Sequence, residues 1–142
     1  MKVFVDANIL VSVLNREYPL FTYTSRLLSL ADRREFALCT SPVCLAIAFY
    51  FAEKKSGTRL AKKKIRLLIS RMHIAKTDRN AVMLAAGNKA VEDFEDGLEY
   101  YTALHAECQC IVTENVQDFY FASIRVLDTR SFLEHYVLNA GL

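Results

Sequence analysis

Met1-Lys2-Val3-Phe4-Val5-Asp6-Ala7-Asn8 is the stretch whose reading decides the fold. Val3-Phe4-Val5 is a run of strand formers that stops at a carboxylate, and Ile9-Leu10-Val11 then resumes an apolar segment. In open α/β sheets, ligands bind outside the carboxyl ends of the strands. Asp6 stands at that end of the first strand and is a candidate metal-binding or catalytic carboxylate. Asp is also a favoured helix N-cap, so a capping role stands beside the functional one.

From this strand outward, strand and helix signals alternate. Residues 21–31 read as a helix with Phe21, Tyr23, Leu27, Leu28 and Leu30 on its buried face. Residues 36–39 read as a short apolar strand. Ser41-Pro42 then starts a helix, Ser as N-cap and Pro at the first helical position. That helix runs to about Lys55 and breaks at Ser56-Gly57. Thr58 is the expected cap of the next helix, 58–71, and a short strand follows at 73–76. Asp78 caps a helix through Ala86. Strands are expected at 110–113 and 124–127, and Thr129 is the expected cap of a terminal helix, 130–138. Strands separated by helices predict an open parallel sheet with helices on both faces, an α/β fold.

The chain has 142 residues, 53% hydrophobic, with only 4 Gly and 2 Pro, which suits one folded domain over 1–142 and excludes a low-complexity chain. A formal charge of +2 neither requires nor forbids a nucleic-acid partner. No stretch reaches the length of a membrane span, and the first residues lack the pattern of a signal peptide, so a cytoplasmic location is expected. Cys39, Cys44, Cys108 and Cys110 read as reduced, mostly buried thiols. The Cys108-x-Cys110 spacing puts both on one strand face but is not the usual zinc spacing.

Two further stretches carry chemistry. Glu92-Asp93-Phe94-Glu95-Asp96-Gly97-Leu98-Glu99 opens a helix with acids in the first turn, where they favour the positive end of the helix dipole. Asp93 and Asp96 share a face, and Leu98, Tyr101, Thr102 and His105 recur at the spacing of a packed one. Asp96 lies at the leading edge of that face. In Val112-Thr113-Glu114-Asn115-Val116-Gln117-Asp118-Phe119 another strand ends in polar groups, with Thr113, Asn115 and Asp118 as candidates. Parallel strands bring Asp6 and this loop to one edge, near the Asp96 helix. Gathered oxygen ligands suit Mg2+ or Mn2+, which activate water and stabilise charge on a phosphodiester under in-line attack.

The three segments, with Thr40-Ser41-Pro42, resemble the PIN-domain family, small metal-dependent ribonucleases that include VapC-type toxins of toxin–antitoxin pairs. Order and spacing match over nearly the whole chain. The resemblance implies a three-layer α/β/α sandwich with a central parallel sheet. It further implies an endoribonuclease using Mg2+ or Mn2+, an RNA substrate, an antitoxin protein as partner and a homodimer, with no membrane involvement. By it, Asp6 and Asp96 are ligands, and Asp118 is a third ligand or an organiser of bound water. Asn8, Asp93, Thr113 and Asn115 play supporting parts.

The departures from the family pattern matter as much. The family's Glu in the helix after Ser-Pro falls within Leu45-Ala46-Ile47-Ala48-Phe49, where no acid stands, and Ile47 is the best match to it. Asn115 replaces another family acid. A non-catalytic PIN-fold protein that binds RNA or a protein partner is therefore the alternative. A phosphatase or phosphotransferase using Asp6 as nucleophile is weaker, because such enzymes often carry a second Asp two residues on and that position is Asn8.

Lys62, Lys63, Lys64 and Arg66 form the main basic concentration, which suits either an RNA-guiding face or an ordinary solvated one. Tyr100 and Tyr101 suit packing better than base stacking. His105, on the expected packed face, reads as a hydrogen-bonded core residue.

Overall fold

The computed structural model describes residues 1–138. Its centre is a five-stranded sheet built from β1 (Lys2–Val5), β2 (Ala37–Thr40), β3 (His73–Ile74), β4 (Cys110–Val112) and β5 (Arg125–Leu127), in the order β3-β2-β1-β4-β5. Every pairing is parallel, with Phe4 opposite Cys39 on one side and Ile111 on the other. Val3, Phe4 and Val5 are fully buried, as are Cys110, Ile111 and Val112. Successive strand residues point to opposite faces, so burial of all of them means that both faces of the sheet are covered.

The helices are α1 (Ala7–Asn15), α2 (Phe21–Ser29), α3 (Pro42–Ser56), α4 (Thr58–Ile69), α5 (Arg79–Gly87), α6 (Phe94–His105) and α7 (Thr129–Leu133), the last continuing as a wider π turn over Glu134–Leu138. Phe4, Ile9, Leu10, Leu27, Leu38, Ile111 and Phe132 are the largest apolar side chains that are fully buried. The expected α/β/α layering is present.

The order of strands fixes where a site can form. The chain builds outward from β1 through β2 to β3, then crosses back to lay β4 on the other side of β1. The two halves diverge between β1 and β4, the switch point at which open α/β sheets leave a crevice beyond their carboxyl ends. Asp6 follows β1 there and Thr113 follows β4. The backbone N–H of Asp6 still donates to Val112 O at 3.0 Å, and that of Thr113 donates to Leu127 O at 3.0 Å. Both residues are thus held by the sheet ladder and not by a free loop.

Most boundaries fall within a residue or two of the sequence reading. Ser41 caps α3 by accepting from the Cys44 N–H at 3.2 Å, and Asp78 caps α5 by accepting from Ala81 N–H at 3.0 Å. Two expected caps are corrected. Thr58 is the first residue of α4, not its cap, and its hydroxyl donates to Glu53 Oε2 at 2.7 Å. Asp128, not Thr129, caps the terminal helix through Ser131 N–H at 2.7 Å. Thr129 is buried and gives both its N–H and O–H to Glu114 Oε2, at 2.9 and 2.7 Å.

The packed face of α6 is also corrected. Its buried residues are Gly97, Glu99, Tyr100, Thr102 and Ala103. His105 is exposed, with Nδ1 lying 3.8 Å from Asp78 Oδ1. Tyr100 packs inward as expected and its hydroxyl meets Ser123 Oγ at 2.7 Å, while Tyr101 is half-buried and accepts from Asn88 Nδ2 at 2.9 Å. All four cysteines are free and buried. Cys108 lies just before β4 and so does not share a strand face with Cys110.

Candidate metal centre

Asp6 fills the capping role open to it in the sequence and keeps acceptor capacity for the functional one. It is buried and N-caps α1, with Oδ1 accepting from Ala7 N–H at 2.6 Å. Oδ2 accepts from the Thr113 hydroxyl at 2.7 Å. Each carboxylate oxygen has lone pairs left over, so capping does not exhaust Asp6 as a ligand.

Thr113 is fully buried and ties the two strand ends together. Besides donating to Asp6, its Oγ1 accepts from Asn8 Nδ2 at 3.2 Å and from Asn115 N–H at 3.1 Å. Asn8 Oδ1 in turn accepts from Glu114 N–H at 3.3 Å. This small network sets the orientation of Asp6 and Asn8 without any cation of its own.

Beside it is a cavity of about 380 Å³, lined by Asp6, Asn8, Ile47, Asp96, Glu99 and Asn115 among others. Asp6 and Asp96 therefore do converge. Asp93 serves as N-cap of α6, accepting from the N–H groups of Glu95 at 2.9 Å and Asp96 at 3.3 Å. It orients the first turn and does not line the cavity. Gly97 allows α6 to sit close on α5: a Cβ there would stand 2.7 Å from Val91 Cγ1 and 3.1 Å from Ala85 Cβ. Asp118 is exposed on a 3-10 turn, Val116–Phe119, outside the cavity lining, although its charge is felt at Asp96.

Glu99 was not singled out in the sequence and is the main addition. It lies one turn beyond Asp96 and is 1% exposed. Cys44, also fully buried at the start of α3, directs its thiol to Glu99 Oε1 at 2.9 Å. Asp6, Cys44 and Glu99 offer ligand atoms that all lie within 4.8 Å of one another. The signal that could have found it is its spacing, since Glu99 is three residues from Asp96 and hence on a neighbouring helical position.

The electrostatics are one-sided. Burial, together with the charges of Asp93, Asp6, Asp118 and Glu95, pushes the Asp96 carboxyl up to about 7. Burial and the adjacent Asp6 carboxylate push Glu99 well above the usual range, and burial raises the Cys44 thiol, which stays neutral and donating. Among the described residues, no Lys or Arg pairs with Asp6, Asp96, Glu99 or Asp118. Carboxylates brought this close without a counter-charge need a proton or a cation. The oxygen-rich donor set fits a hard divalent ion such as Mg2+ or Mn2+. A larger cavity, about 440 Å³, lies between α2 and the terminal helix, with Glu134 its single acid, and offers no such set.

The basic run splits between faces of α4. Successive helical residues are rotated by about 100°, so Lys62, Lys63 and Lys64 cannot point one way. Lys63 and Arg66 line a cavity of about 430 Å³ with Arg59, Ser56 and Leu60. Lys64 is half-buried, donates to Ser56 Oγ at 3.0 Å and faces the groove towards α1. Lys62 is exposed and lines neither.

Comparison with known proteins bears on the family and the fold. A PIN-domain family profile matches residues 2–117. The chain is similar to Ribonuclease VapC1 of Aquifex aeolicus, 29% identical over 139 residues that make up 95% of each chain. Its fold is similar to the solved structure of VapBC-1 from nontypeable Haemophilus influenzae, with a TM-score of 0.69 at 17% identity over 92% of this chain and 99% of the other. It is similar also to VapBC2 from Rickettsia felis bound to a DNA fragment from their promoter, with a TM-score of 0.68 at 18% identity over 90% of this chain and 98% of the other.

Proposed function

The chain belongs to the PIN-domain family, and on that premise we propose that it is a divalent-cation-dependent endoribonuclease, the toxin of a toxin–antitoxin pair. The observation that carries the reading is the convergence of Asp6 and Asp96 on one cavity at the β1/β4 switch point, with no basic side chain among the described residues paired with them. The similarity to a protein named as a VapC ribonuclease supports the activity. The likeness to VapBC complexes supports an antitoxin protein as partner. A homodimer acting in the cytoplasm completes the proposal. Among the described residues, no helix is long and apolar enough to cross a membrane.

Asp6 and Asp96 hold the ion in this reading. Mg2+ or Mn2+ bound there supplies an activated water and charge stabilisation for in-line attack on a phosphodiester. The chain's own residues do the positioning. Thr113 keeps an Asp6 oxygen turned by its hydrogen bond, and Asn8 is fixed by Thr113 and Glu114 N–H. Asn115, exposed on the cavity rim, is placed to meet a phosphate or a water through its carboxamide. Asp118, further out, serves as an additional ligand or orients water. The Arg59, Lys63 and Arg66 stripe on α4 offers phosphate contacts.

The test is cleavage of a structured RNA by purified protein with Mg2+ or Mn2+ and with EDTA. Metal-dependent cleavage that Asp6→Asn abolishes is the expected result. Asn keeps the shape but removes the charge that attracts the ion. Cleavage that persists in EDTA, or in the Asp6→Asn protein, contradicts the proposal.

A further inference from the structure

We infer that Glu99 is a metal ligand of this site and takes over, from α6, the place of the carboxylate that the α3 helix lacks. The inference rests on the metal-dependent reading above. Its basis is the juxtaposition of Asp6, Glu99 and Ile47 around one cavity. Ile47 is where a carboxylate from α3 would enter, and it is half-buried and apolar. Glu99 approaches the same space from the neighbouring helix, with its ligand atom within 4.8 Å of that of Asp6.

A purely structural role explains the surroundings of Glu99 poorly. A carboxylate at 1% exposure is ordinarily matched by a basic side chain or by several N–H donors. Among the described residues Glu99 accepts one hydrogen bond, from the weakly polar thiol of Cys44, and its other close polar neighbour is the Asp6 carboxyl, with which it can only share a proton. Replacing it with Gln would relieve that crowding at no loss of shape. A residue kept only for the fold would therefore favour the amide over the acid at this position.

A cation accounts for both groups at once. Asp6 and Glu99 would both serve as ligands to one ion in place of the proton they otherwise share, with Asp96 at the cavity wall as a third oxygen donor. Cys44 keeps a supporting part, its thiol directing one Glu99 oxygen and leaving the other for the ion. Of the two acids that the chain lacks, at Ile47 and Asn115, one is then made good from a different helix. Divalent affinity depends on ligand charge and count, not on which helix supplies them.

The experiment is calorimetric titration of metal-free protein with Mn2+, for the wild type, Asp6→Asn, Glu99→Gln and the double variant Ile47→Glu/Glu99→Gln. Melting curves without metal accompany each. The expected result is binding by the wild type, none by Asp6→Asn, and affinity reduced roughly ten-fold or more in Glu99→Gln. The metal-free Glu99→Gln protein should be at least as stable as the wild type. The double variant should regain part of the affinity, because position 47 faces the same cavity. Glu99→Asp, which keeps the charge and withdraws it by one methylene, carries the same test through a second substitution and should also lose affinity. Wild-type binding abolished by Asp6→Asn but unchanged in Glu99→Gln and Glu99→Asp would overturn the Glu99 assignment alone. A wild-type protein that takes up no Mn2+ would overturn the metal reading and this inference with it.

Discussion

The carboxyl end of the sheet and the outer face of α4 carry charge in opposite ways. Beyond β1 and β4, acidic groups are gathered with no Lys or Arg paired to them among the described residues, and Asp6 is fixed by hydrogen bonds that trace back to the sheet. On α4, Lys62, Lys63 and Arg66 stand in solvent with no ion pair among the described residues. The first arrangement costs stability and is maintained by the surrounding fold. The second costs little, since exposed charges are well solvated. Charge held at a cost points to chemistry, while charge held freely fits steering and solubility equally well. Substitutions in the first region should therefore produce large, specific losses, and those in the second should produce small, salt-dependent ones.

After the loss of Asp6 itself, the largest effect is expected at Thr113. Thr113→Val keeps the shape and removes the hydroxyl that holds Asp6, Asn8 and the Asn115 backbone. Partners that orient metal ligands are typically worth roughly 10–100-fold in affinity or activity, so RNA cleavage should fall by about that factor. An unpaired buried group adds about 1–3 kcal/mol of destabilisation, readable by urea titration. Undiminished cleavage would make the network dispensable.

The next concerns pH. The Asp96 carboxyl, at about 7 in the fold against 3.8 as its ordinary value, holds a proton that the unfolded chain has already released. Its contribution to metal-free stability is therefore full below about pH 4 and lost as pH rises through 7. The stability of the wild type relative to Asp96→Asn should fall across that window. Mn2+ competes with the same proton, so Mn2+ affinity should rise with pH and level off above 7. A flat profile for both would place Asp96 outside the site.

Gly97→Ala should act through packing. The added methyl meets Val91 and Ala85, and overpacking of this kind costs about 1–3 kcal/mol, partly offset by the roughly 1 kcal/mol that Ala gains over Gly in a helix. A modest loss of stability is expected, with a drop in Mn2+ affinity as the Asp96 turn is displaced. Lys63→Glu should give the smallest change: stability within about 0.5 kcal/mol, weaker RNA binding and a shallower salt dependence. Lys64→Glu, on the other side of the helix, should affect RNA less. Equal effects of the two would mean that the charge of α4 acts without a defined face.

The sequence was most legible where period and punctuation agree. Short apolar runs ending at Asp6 and Thr113, with Ser41-Pro42 and Asp78 as helix starts, marked the elements, and the parallel sheet made convergence of Asp6 and Asp96 predictable. Glu99 escaped because the packed face of α6 was set by Leu98, Tyr101 and His105, which left the acid beside them on no marked face. His105 turned out to be exposed and Glu99 buried. Hydrophobic spacing cannot announce a buried carboxylate, whose surroundings come from α3 and β1 and are remote in sequence. The division of the lysines was legible in principle, since helical rotation alone separates Lys63 from Lys64.

The central claim is that the acidic end of the sheet is a cation site, strained without its ion and relieved by it. The most direct measurement is the melting temperature of the wild-type protein near pH 7.5, in EDTA and then with increasing Mn2+. An ion that binds only the folded chain stabilises it by mass action, by about 2.7 kcal/mol at a hundred times the dissociation constant. The account predicts a concentration-dependent rise in melting temperature that Asp6→Asn abolishes. A melting temperature unmoved by Mn2+, or moved equally in Asp6→Asn, would contradict it.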